Sequence, residues 1–106
     1  MDLDEFISQC ERAWQIFVTG EPGPAMLLFS RRDDVTLANP WGPSVTGWAD
    51  VSRTLAAAAA RFRNGQIHGF DIITTFVSDD LASYHEIERG EAMIGGRSDW
   101  RRLPFE

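Results

Sequence analysis

The apolar side chains change their period partway along the chain, and that change constrains the fold more than any other feature. Leu3, Phe6, Ile7, Cys10, Trp14, Phe17 and Val18 recur at three- and four-residue steps, the spacing of one helical face. From His68 onward the spacing drops to two, the pattern of a strand whose side chains point alternately to its two faces. Helices followed by strands read as an α+β layer arrangement, N-terminal helices packed on an antiparallel sheet. A length of 106 residues allows one domain with a modest core.

Local signals divide the chain further. Asp2 is placed to cap a helix over 3–18, with Glu5 three residues on and Gly20 as the stop. After the rigid Glu21-Pro22-Gly23-Pro24 turn, Ala25 to Phe29 has room only for a short helix. Val35 to Ala38 reads as a short strand ended by Asn39-Pro40, and Trp41 to Gly47 as a loop. A second long helix is expected from Trp48 to Arg63, with Val51, Leu55, Ala58, Ala59 and Phe62 inward and Asn64-Gly65 as its end. The strand from His68 to Val77 would send Phe70, Ile72, Thr74 and Phe76 to one side. It turns at Ser78-Asp79-Asp80 into a returning strand over 81–94, bulged near Gly90, where Tyr84, Glu86 and Glu88 share a face. Gly95 to Asp99 is a further turn, leaving a short last segment.

Ten basic residues, all arginine, stand against 16 acidic ones for a net charge of −6. That balance argues against a nucleic-acid partner, which needs a cationic face to neutralise phosphates. One cysteine, Cys10, offers no disulfide, and no apolar run approaches the roughly 20 residues that cross a bilayer. A cytoplasmic protein without a membrane partner is expected. Two histidines 17 residues apart give no metal-ligand spacing, and the glycines form no phosphate-cradling loop, so neither metal nor cofactor is implied.

The order of the pieces resembles the SnoaL-like branch of the NTF2-like superfamily, the ketosteroid isomerase-like fold. Leu28-Phe29 through Asp34-Val35-Thr36-Leu37, then Asn39-Pro40-Trp41-Gly42 with Thr46-Gly47-Trp48, and Asp80 to Tyr84 continuing to Glu88-Arg89-Gly90 carry the resemblance. It implies a cone, helices packed on a curved antiparallel sheet, over a single domain 1–106 that is C-terminally short of the family's last strand or strands. It also implies a homodimer.

The resemblance does not bring the isomerase chemistry with it. The family's carboxylate base falls on Asn39, whose amide takes no proton near neutrality, and its tyrosine falls at Ala13 or Trp14. An epoxide hydrolase-like arrangement finds only a partial copy in Asp71 with an arginine such as Arg89. His85 is a candidate acid or base, with Asp71 and Asn39 as the other candidate catalytic groups. The Glu86 and Glu88 pair either tunes one carboxyl's pKa or is an exposed strand face. Trp14, Phe17, Met26, Phe29, Trp41, Phe70 and Tyr84 are the candidate walls of an apolar ligand pocket. Large rings line a cavity or fill it. The reading is therefore a small hydrophobic-ligand-binding protein, possessing at most weak enzymatic activity. Its alternatives are a self-associating domain with a filled interior, or an isomerase, cyclase or epoxide hydrolase-like enzyme.

Overall fold

A computed structural model of the chain describes residues 2–38, 44–96 and 99–106. Helix α1 spans Leu3–Phe17, and Asp2 caps it by accepting the Glu5 backbone N–H at 2.8 Å, a cap that contributes about 1 kcal/mol. Its inward face buries Ile7, Cys10, Ala13 and Phe17, whereas Phe6 of the expected stripe is exposed. The short helix α2, Gly23–Met26, starts two residues earlier than expected because Pro24 suits a first helical turn. Strands β1 (Thr36–Leu37) and β2 (Val45–Thr46) form a two-stranded antiparallel sheet. Helix α3, Trp48–Ala59, buries Val51, Leu55, Ala58 and Ala59. Strands β3 (Phe62–Val77), β4 (Ala82–Ile94) and β5 (Arg101–Phe105) form a second antiparallel sheet in the order β3-β4-β5.

The core lies between the helices and one face of the larger sheet. Ala13, Phe17, Ala25, Val51, Leu55, Ala58 and Ala59 form it, with Trp14, Met26, Phe29, Trp48 and Phe62 packed around them. Small alanines on α3 let that helix close onto its neighbours.

Two features of the long hairpin depart from expectation. Asn64-Gly65 does not end α3, which stops at Ala59; it lies inside β3, with Asn64 at φ 51°. Gly65 is required there because its N–H donates to the Val18 carbonyl at 3.0 Å, and a Cβ would lie 2.3 Å from that oxygen. The alternation of β3 also breaks. Ile72 pairs with Glu86 but Thr74 pairs with His85, so Ile73 is an extra residue and the side chains beyond it change faces. Phe70 and Ile72 therefore share the helix-side face with Thr75 and Val77, while Thr74 and Phe76 turn to the outer face with Asp71. β3 shifts register twice more, between Arg63 and Gln66 and at His68, so the bulge expected on the returning strand near Gly90 lies instead on β3.

The α+β class stands, and the SnoaL-like, NTF2-like cone does not. The two sheets are separate, and neither is closed or curled into a cone. A cone needs one continuous sheet bent around the helices. Here β1 and β2 pair only with each other, and nothing among the described residues packs against the far end of the β3-β4 hairpin, where every residue from Asp71 to Ser83 is exposed.

Candidate functional site

On β4, side chains of even number face the helices. Tyr84, Glu86 and Glu88 are half-buried there, and Gly90 and Ala92 are buried. The shared face of Tyr84, Glu86 and Glu88 read from the alternation is thus the covered one. Pairing carries the face onto β5, where Phe105 lies opposite Gly90 and Leu103 opposite Ala92. Gly90 leaves room for this, since a Cβ would sit 2.8 Å from the Phe105 ring and 2.2 Å from the Gln66 carbonyl oxygen.

Between this face and the two long helices lies a half-open cleft of about 670 Å³. Trp14 and Phe17 of α1, with Val18 just past its end, form one wall, Leu55 and Ala58 of α3 the second, and Phe62, Ile94, Leu103 and Phe105 of the sheet the third. The rings stack in a chain. Trp14 meets Phe17 edge-on at 5.3 Å, Phe17 meets Phe62 at 6.0 Å, and Phe62 meets Phe105 at 5.8 Å. The carboxyl of Glu88 stands in this apolar lining, and burial raises its pKa above the ordinary carboxylate value.

An acidic strip continues from Glu88 along β4 under α1. Burial, followed by the hydrogen bond and charge of Glu11 and the charge of Glu88, pushes Glu86 up to about 7. Its Oε2 is buried without a hydrogen-bond partner among the described residues. Beyond it on the same face stands Tyr84, and burial raises the pKa of both Tyr84 and Cys10. Cys10 is 7% exposed and sits in the helical stripe as a small hydrophobe.

The opposite face of the sheet is solvated and carries ion pairs. Arg89 bridges Asp71 and Glu106, the latter at 3.4 Å, and Arg102 holds Glu91 at 3.1 Å, with His68 3.8 Å from the same carboxylate. Asp71 raises the Arg89 pKa, and Arg102 lowers that of Glu91.

Trp14 and Phe17, expected as pocket walls, both line the cleft. Met26 and Phe29 pack against the core instead, and Phe70 and Tyr84 lie further along the helix-side face of the sheet. His85 and Asp71 lie on the outer face, exposed, and Asp71 is ion-paired to Arg89. Asn39 and Trp41 lie outside the described residues. Leu103 and Phe105 were missed as wall residues because a five-residue terminal strand has too little alternation to show which side chains face inward.

Among the described residues, no group of three or more His, Cys, Asp and Glu side chains is placed to hold a metal ion. No helix among them is long and apolar enough to cross a membrane. A scan against protein-family models matches none, and searches of curated proteins and of solved structures give no significant match.

Proposed function

We propose that this domain binds a small, predominantly apolar molecule in the cleft between the helices and the β3-β4-β5 sheet, and that it works as a cytoplasmic homodimer. The observation that carries the reading is the cleft: its volume of about 670 Å³ falls in the range of small-molecule sites, and its lining is aromatic and aliphatic on three sides. Glu88 and Glu106 supply the polar points in that lining. Burial raises the pKa of Glu88, and its carboxyl oxygens can accept a hydrogen bond from a polar group on the ligand. A lone, buried Cys10 is compatible with a reducing compartment.

Titration with Nile red, a neutral apolar dye, tests the reading. Saturable fluorescence enhancement is expected for the native chain. Leu103→Trp fills the mouth from a side chain that is 43% exposed, so it leaves the fold intact by circular dichroism and weakens binding at least about tenfold. Dye fluorescence that rises without saturating, or that ignores the Leu103 substitution, would overturn the site. A self-associating role is the second reading, favoured by the exposed apolar side chains at the far end of the hairpin.

A further inference from the structure

We infer that the far half of the hairpin is a self-association surface whose occupant is a second copy of this chain, paired antiparallel along the free edge of β3. The inference rests on the homodimer proposed above and names its interface.

Shape and area point to an absent partner. The molecule measures 48 × 30 × 21 Å, and its radius of gyration of 14.3 Å exceeds the roughly 13 Å of a compact chain this long. It exposes 7051 Å², about 1,100 Å² more than a compact monomer of its mass. A standard dimer covers about 800 Å² per partner, so the excess is enough to supply one such interface.

Large apolar side chains are exposed together at the hairpin's end. Ile72, Ile73, Phe76, Val77 and Leu81 are 45 to 62% exposed there, five large apolar side chains within ten residues. The bulge at Ile73 distributes these side chains over both faces, so no single layer packed on one face would cover them. An edge-to-edge partner extends both faces at once.

The edge itself is available. β3 is an outer strand of the sheet. Its near end is engaged by α1 through the Gly65 N–H and the Val18 carbonyl, whereas from Phe70 to Val77 its only backbone pairing among the described residues is with β4. That stretch holds neither lysine nor proline, its single charge, Asp71, is taken up by Arg89, and of the devices that blunt an edge it carries only the bulge at Ile73. Two copies of one strand paired antiparallel obey a closed two-fold symmetry. Centred near Thr74, the pairing carries the acidic Asp79-Asp80 turn of each copy toward the His68 end of the other, which keeps the two acidic turns apart. The two three-stranded sheets then become one of six strands.

Sedimentation velocity and amide hydrogen exchange on the full chain test this. At about 50 µM the native chain is expected at twice its 11.9 kDa mass, with amides in 71–77 protected. The double variant Ile73→Lys, Phe76→Lys changes only exposed side chains. It is expected at the single-chain mass, with an unchanged far-UV spectrum and at least about tenfold faster exchange in that stretch. A native chain that sediments as a monomer overturns the homodimer and this surface together. A dimer that survives the double substitution, or a native dimer whose 71–77 amides all exchange freely, overturns the β3 edge alone and leaves the homodimer standing.

Discussion

The two ends of the same hairpin are built from similar residues and meet different fates. At the near end, Ala92 is fully buried and Phe62 is packed between Phe17 and Phe105, because α1, α3 and β5 lie over that part of the sheet. At the far end Ile72, Phe76 and Val77 are as apolar and remain exposed, because the helices do not reach them. Strand propensity is shared along the whole hairpin. Burial is not a property of the strand, and it depends on the layer that covers it.

Substitutions can break this contrast or sharpen it. Leu55→Ala strikes the covered end, where the side chain is 2% exposed; it should lower unfolding stability by about 3 kcal/mol in chemical denaturation, and a loss under 1 kcal/mol would mean the helical layer is loosely packed.

Glu86→Gln probes the boundary between the two ends. In the folded chain Glu86 titrates near 7, against 4.5 unfolded, so between those values the folded state holds a proton that the unfolded state has lost. Native stability is therefore greater below pH 4.5 and declines as pH rises toward 7. Discounted for solvent screening, the variant should gain about 1 kcal/mol over the native chain at pH 8 and close to nothing at pH 4. Equal differences at both pH values would refute the linkage.

Phe76→Ala gives the smallest effect. In samples dilute enough to be monomeric, thermal unfolding should change by less than about 0.5 kcal/mol despite the loss of a whole ring. A larger cost would show that the far end is covered within a single chain.

Much of the helical layer was legible because its determinants are local. The spacing of Ile7, Cys10 and Phe17, with Asp2 before them, sets both the limits and the buried face of α1 within one stretch of chain. The face shared by Tyr84, Glu86 and Glu88 was legible for the same reason. Asn64-Gly65 misled because Gly65 answers to Val18, 47 positions away, and a turn-forming pair looks the same in a helix stop as in a strand passing close to a carbonyl. Alternation past Ile72 misled because one unpaired residue reverses every side chain after it, and only the partner strand shows that Ile73 is unpaired. The cone failed at a larger scale, since the order of helices and strands says nothing about whether β1 and β2 join the main sheet.

The candidate site divides along the same line. Trp14 and Phe17 were identifiable as large rings on an amphipathic helix, but Phe62, Leu103 and Phe105 became wall residues only through the pairing of β3, β4 and β5. Periodicity, capping and turn chemistry act over a few residues, so the amino-acid sequence by itself determined α1, the long hairpin and the α+β class, whereas β2 lay in a stretch read as loop and the start of β3 in one read as helix. Register, sheet continuity and coverage depend on hydrogen bonds and packing between distant segments. The tertiary structure alone therefore decided that the cleft is apolar with Glu88 in its lining, that His85 and Asp71 face away from it, and that the end of the hairpin is bare.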